Sequence, residues 1–264
     1  MKKIMTLAVA VALLLGAGSA LGATVGDWAR ITIQTDSGQS LALYPKAACG
    51  PKKKVYAEAV KGDEYKIVVC NLLPRRVGLV IAVDGRNIIS GTRSWLRNSE
   101  RMYILGPYES GEYRGWRTGS DRVNRFYFTD AADSYAGAFG DKSAMGVIAV
   151  AVYPERERYV PPAPSADISR ERSGAATPQA PQAKRAPAES SMESAGTGFG
   201  RDEYSPSRLV AFEPERQAIE TILIKYEWRS TLCRMGIIPC EIPAPPANRL
   251  WEEEGYAPRP PRRG

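Results

Sequence analysis

Between Val77 and Tyr153, apolar and β-branched runs recur, each closed by a Gly, Asp or Pro turn. The segment reads VGLVIAVDGRNIISG, RMYILGPYESGEYRGWR, RVNRFYFTD, a short SYAGAFGD insert and MGVIAVAVY. Such punctuation predicts a compact antiparallel β unit. Within it Leu79, Ile81 and Val83 share one face while Val80 and Ala82 keep the other apolar, which predicts a strand covered on both sides. Asp84-Gly85 is a two-residue hairpin signal, since a type I′ turn needs positive φ, and Arg86-Asn87 leave room for a longer loop. Met102 to Leu105 and Tyr113 to Trp116 read as a further hairpin joined through Gly106-Pro107 and Gly111. Arg122 to Thr129 sets Phe126 and Phe128 against Tyr127 on the opposite face. Asp130 to Phe139 suits one or two helical turns with Asp130 as the N-cap, and Met145 to Tyr153 a buried closing strand.

Upstream, Ala29 to Thr35 alternates Ile31 and Ile33 with polar neighbours. Leu41 to Tyr44 and Val55 to Val60 follow, and then Tyr65, Ile67 and Val69 line one face of a strand ending at Cys70. This number of short strands fits a sandwich or flattened barrel. From 154 to 195 the chain is rich in Pro, Ala and Ser without apolar periodicity, the composition of a disordered linker. Over 196–241 the pattern resumes: Leu209 to Phe212 and Ala218 to Tyr226 read as strands, and Glu227 to Met235 as a short helix. So small a piece makes a poor domain alone and is expected to rejoin the core. Residues 242–264 read as a Pro- and charge-rich tail. The expected fold is mainly β: an antiparallel sandwich-like core over 24–153 with a C-terminal strand–strand–helix segment packed on it.

IAVDGRNIISG (Ile81 to Gly91), YILGP, RGWR, FYFTD, DSYA and MGVIAVAVY, with the later GTGFG, YSP and Tyr226 to Ile237 block, resemble a family of exported bacterial β-rich proteins with no established activity. The resemblance spans roughly 77–153 and 196–238. It implies a β fold split by a variable linker and brings no catalytic residues.

Composition changes the picture at the N-terminus. Lys2 and Lys3 precede an apolar run from Ile4 to Leu15, and small residues follow, with Ala20 and Gly22 placed for signal peptidase. Residues 1–22 therefore read as a cleavable export signal, too short an apolar run for a comfortable membrane span. No later stretch is long enough to span, so the mature chain is expected in the periplasm or outside the cell. Loss of the two lysines lowers the formal charge from +7 to +5. That modest excess suits solubility or contact with anionic envelope polymers, and nucleic acid is not an expected partner there. Four cysteines in an oxidising compartment suggest two disulfides among Cys49, Cys70, Cys233 and Cys240. Three connectivities are open, with Cys49–Cys70 and Cys233–Cys240 favoured by proximity.

The chain has no histidine. A Ser-His-Asp or Cys-His nucleophile is excluded, as are histidine metal sites, and no cofactor or metal is expected. Asp130, Asp133 and Asp141 crowd one loop and Glu109 and Glu112 another, but turns and helix caps carry such groupings ordinarily. GAFGDKS (Gly137 to Ser143) departs from a phosphate loop in glycine spacing, and GTGFG (Gly196 to Gly200) falls short of a dinucleotide loop and reads as a flexible re-entry. Aromatics offer the remaining binding signal: Trp95, Tyr103, Tyr108, Tyr113 and Trp116 interleave with Arg93, Arg97, Arg101, Arg114 and Arg117. Such a surface recognises proteins or glycans; alternatively the rings fill the core. Recognition requires Trp95 or Trp116 to be exposed. The expected function is a non-catalytic envelope or extracellular binding or structural module with a protein or glycan partner. The alternatives are a histidine-independent glycan hydrolase using two carboxylates and a subunit of a secreted filament.

Overall fold

The structure, a computed structural model, describes residues 23–46, 52–157 and 194–240. The expected signal segment 1–22, Cys49, the linker between 157 and 194 and the 242–264 tail lie outside the described residues. The strands are β1 (Ala29–Thr35), β2 (Leu43–Lys46), β3 (Lys52–Ala59), β4 (Glu64–Asn71), β5 (Val77–Val83), β6 (Arg86–Asn87) and β7 (Tyr103–Leu105). After them come β8 (Ser110–Tyr113), β9 (Gly115–Arg117), β10 (Arg122–Asp130), helix α1 (Tyr135–Ala138) and β11 (Val147–Pro154). β12 (Ala195–Thr197), β13 (Asp202–Tyr204), β14 (Glu220–Trp228) and helix α2 (Arg229–Arg234) complete the order.

The chain is mainly β, in two packed sheets. One runs β2-β3-β14-β11-β5, with β6 and β7 sharing the far edge of β5. The other is built on β1-β4-β10, with β12 and β13 along one side of β10. Period-two alternation places Ile31 and Ile33 of β1 and Tyr65, Ile67 and Val69 of β4 against Leu79, Ile81 and Val83 of β5 in one core. The opposite face of β5 is buried too: Val80 packs with Ala151 and Tyr153 under Leu96 and Met102. Two covered faces explain its unbroken apolar sequence. Asp84 and Gly85, with φ of 49° and 79°, make the tight turn that pairs Val83 with Arg86.

The C-terminal segment rejoins the fold at its centre. β14 lies between β3, to which it is parallel, and β11, to which it is antiparallel, and buries Ile222, Ile224 and Tyr226. At its start the Glu220 carboxylate accepts the backbone N–H groups of Asp27 (2.8 Å), Trp28 (2.9 Å) and Ala29 (3.3 Å), fastening the chain that leads into β1. α2 packs Leu232 with Tyr56 and Ile238, and the Cys233–Cys240 disulfide closes the turn behind it.

Several expectations are corrected. Residues 209–212 form no strand, whereas 195–204 supply β12 and β13. GTGFG is held and not loose: Gly198 and Gly200 donate to Tyr127 and Arg125 carbonyls. A Cβ on Gly198 would stand 2.2 Å from the Tyr127 ring, so only glycine lets this backbone lie along β10. Asp130 forms no cap bond and pairs with Lys61, while Ser134 caps α1 by accepting from Gly137 N at 3.0 Å. Cys70 is a free thiol. It lies on the half-buried face of β4 between Arg30 and Ser110, and Cys49, its expected partner, lies outside the described residues.

The expected hairpin of Met102 to Leu105 with Tyr113 to Trp116 does not form. β7 pairs with β5, and the chain then crosses to the other sheet through a turn in which Tyr108 takes φ 57° and donates its N–H to Leu73 O. There β4 and β10 pair only at Tyr65–Phe126 and Glu64–Tyr127, and residues 110–117 fill the gap beyond. They pair with β4 through β8 and with β10 through β9, changing partner at Arg114.

Candidate functional site

The crossing leaves β7 in one sheet and β8–β9 in the other as the walls of an open groove of about 1200 Å³. Residues 205–214 run beside it as a strap pinned at both ends. At one end Arg117 donates to Ser205 O (2.8 Å) and Ser205 Oγ (3.2 Å) and, through Nε, to the Tyr103 hydroxyl (2.8 Å). At the other, Arg76 donates to Ala211 O (3.1 Å) and lies 5.5 Å over the Phe212 ring. Phe212 in turn occupies the space above Gly78, where a Cβ would meet it at 2.7 Å. Between these anchors Arg208, Leu209 and Val210 are exposed, Leu209 to 94%.

Tyr103 and Tyr113 meet within the groove wall, ring centroids 4.4 Å apart. Burial pushes both hydroxyls above the ordinary tyrosine pKa, and for Tyr103 the Arg117 hydrogen bond only partly offsets it. Both stay neutral. Neither ring lies open for stacking, since Tyr113 is buried and Tyr103 half-buried.

Three glutamates line the groove, and each is engaged. Glu100 accepts from Ser94 Oγ (2.6 Å), Trp95 N (2.8 Å) and Arg97 N (2.9 Å). Burial alone would raise its pKa, but these bonds prevail and hold it below the usual carboxylate range. Glu109 accepts from Gly106 N, and Glu112 pairs with Lys66 and Arg114, which hold its pKa down. Carboxylates fixed this way are structural groups and not a poised acid–base pair. Five arginines face the same groove. Arg76 pairs with Glu155 and Arg114 with Glu112 and Glu203, whereas among the described residues Arg101, Arg117 and Arg208 have no carboxylate partner. The lining therefore carries more positive than negative charge, five against three.

Of the residues singled out by sequence, Arg101, Tyr103, Tyr113, Arg114 and Arg117 come together here. Trp116 does not: it is buried beneath, edge-on to Phe126, and donates Nε1–H to Gly198 O at 3.0 Å. Trp95 and Tyr108 are exposed, 64% and 66%, but lie outside the groove lining. The requirement of one exposed tryptophan is thus met by Trp95 alone. Sequence reasoning does not single out Arg76, Arg208 or Phe212 for the groove, since Leu209 to Phe212 has strand composition and Arg76 lies far away in the chain; Pro206 and Pro214 bracketing the strap are the available signal.

A second polar centre is closed to ligands. Asp84 is fully buried and accepts from Tyr226 Oη (2.6 Å), Gly146 N (2.7 Å) and Thr197 N (2.7 Å). Thr197 Oγ1 lies 2.7 Å from both Tyr226 Oη and Tyr65 Oη, so the network ties β4, β12 and β14 to the β5–β6 turn. The acidic loop is likewise structural: Asp141 pairs with Arg93 and accepts from Ser143. Among the described residues no three Cys, Asp or Glu side chains gather in a way that would hold a metal ion, and no helix is long and apolar enough to cross a membrane. No protein family, curated protein or solved structure matches this chain.

Proposed function

We propose that the mature chain is an exported, non-catalytic binding module whose ligand lies in the groove between β7 and β8–β9. The observation that carries this reading is the pairing pattern of its charges. Every glutamate on the wall is engaged by a hydrogen-bond or ion-pair partner, while Arg101 and Arg208 point no charge at any acidic partner among the described residues. Unpaired guanidinium groups beside partly apolar walls are the usual makings of a recognition surface. A glycan hydrolase would need one carboxylate free to donate a proton and a second free to attack or activate water, and the engaged glutamates do not offer that pair. The filament reading draws little support from the strand edges. β2 and β6 are short, and Val25 and Leu41 hydrogen-bond along the outer side of β1.

The test is photocrosslinking in the native envelope fraction and culture medium. A benzoylphenylalanine in place of Ile104, in the groove, is compared with one in place of Val60, exposed at the end of β3. A discrete adduct at 104 that is absent at 60 is the expected result. Equal labelling at both positions, or none at 104, refutes the groove.

A further inference from the structure

We infer that the ligand of this groove is an extended acidic peptide that adds as a strand to the open edge of β7; the inference rests on the groove being the binding site. β7 pairs with β5 along one edge only, at Leu79–Tyr103, Gly78–Ile104 and Val77–Leu105. Among the described residues no strand pairs with its other edge, and all three β7 residues line the groove. An unpaired edge presents backbone N–H and C=O groups in the spacing that an incoming extended chain satisfies.

The charge follows from the arginines. Arg101 leads into β7, and Arg208 sits on the strap along the same groove. Both are exposed, and neither has a carboxylate within ion-pair distance among the described residues. An added strand turns alternate side chains the same way, so acidic residues at every second position can face this pair. A sugar chain would instead ask for exposed ring faces on which to stack. The groove withholds them: Tyr103 and Tyr113 pack on each other, and Phe212 lies between Arg76 and Gly78. The backbone edge and the free guanidinium groups are what remains on offer, and together they select a peptide.

The test is fluorescence anisotropy of the full chain with a labelled short peptide of alternating glutamate and threonine. Its glutamine–threonine counterpart, a version N-methylated on alternate residues and oligogalacturonate serve as comparisons. The expected result is saturable binding of the acidic peptide. The glutamine form, the N-methylated form and the R101Q/R208Q variant should each weaken it by about tenfold or more, as loss of charge-assisted or main-chain bonds entails. Equal binding of the N-methylated peptide removes the strand edge from the argument and overturns the proposal. So does equal binding of the glutamine form, or the absence of saturable binding of the acidic peptide. Oligogalacturonate binding that requires Arg101 and Arg208, without peptide binding, overturns the peptide and leaves the groove standing. A discrete adduct at 104 likewise keeps the groove whatever the peptides do, so the two failures are distinguishable.

Discussion

Replacing Asp84 by Asn tests whether the buried carboxylate between the two sheets is held against its solvation cost. Burial pushes its pKa from the ordinary 3.8 up to about 6, against the opposing pull of the Tyr226, Thr197 and Gly146 hydrogen bonds and the nearby Lys225 charge. The folded state therefore binds this proton more tightly than the unfolded chain does. The stabilising contribution is complete below about pH 4 and is lost as pH rises through about 6. The gap corresponds to about 3 kcal/mol. Asp36, Glu112, Asp141 and Glu203, whose pKa values are lowered by their partners, act in the opposite sense, adding stability as pH rises. They are common to wild type and D84N and cancel in the difference. Asn carries a constant cost, because its amide N–H groups would meet a backbone donor, so the slope and not the offset is diagnostic. Urea unfolding of both proteins between about pH 3 and pH 8 should show wild type losing about 3 kcal/mol relative to D84N, centred between the two pKa values. A difference that stays flat, or grows in favour of wild type with pH, refutes the reasoning.

Tyr226→Phe removes the hydroxyl that donates to Asp84 and contacts Thr197. Stability at neutral pH should fall by about 1–3 kcal/mol, and the pH-linked step should move upward, because one bond favouring the ionised carboxylate is gone. The same urea series measures both. Gly115→Ala places a Cβ 2.1 Å from Asn124 O where β9 pairs with β10, and a cost of about 1–3 kcal/mol is expected by thermal unfolding. Gly119→Ala, whose Cβ would meet neighbours only at 3.6 Å and beyond, should stay within about 0.5 kcal/mol. Joint replacement of Cys233 and Cys240 by Ser opens a loop of sequence separation 7 and should cost at most about 2–3 kcal/mol. Faster hydrogen exchange should then appear around Leu232 and Ile238, with β5 unaffected.

What was legible in the chain was whatever a single strand encodes by itself. The alternation of Tyr65, Ile67 and Val69 marked one core face, the unbroken run from Val77 to Val83 marked a strand covered twice, and Asp84-Gly85 marked the turn. What was not legible depended on partners distant in sequence. β12 and β13, three residues each and separated by Gly198 and Gly200, are too short to carry a period of their own, and they exist because β10 offers an unpaired edge. Leu209 to Phe212 has strand composition without a strand partner. The aromatic–arginine cluster was legible only in part: Trp116 alternates with Arg117 along β9, so one turns into the core and the other toward the groove. Asp84 looked like a turn residue and is one, but its hydrogen bonds reach 62, 113 and 142 positions along the chain. No local pattern announces that.

The groove itself follows from topology more than from any motif. Had β7 turned back onto β8, as a local reading of Gly106-Pro107 and Gly111 predicts, both strands would have spent their hydrogen-bonding edges on each other. Instead β7 is claimed by β5, whose far edge has room beyond the two residues of β6, and β8 is claimed by the part of β4 that β10 leaves unpaired. Each strand is satisfied on one edge, and the chain between them must cross from sheet to sheet. The space opened by that crossing is then bordered by a late segment, 205–214, which reaches it because β13 and β14 dock in different sheets and the strap must span the gap between them. An open strand edge, unpaired arginines and a pinned strap thus arise together from one choice of pairing, and a change that restored the local hairpin would remove all three at once.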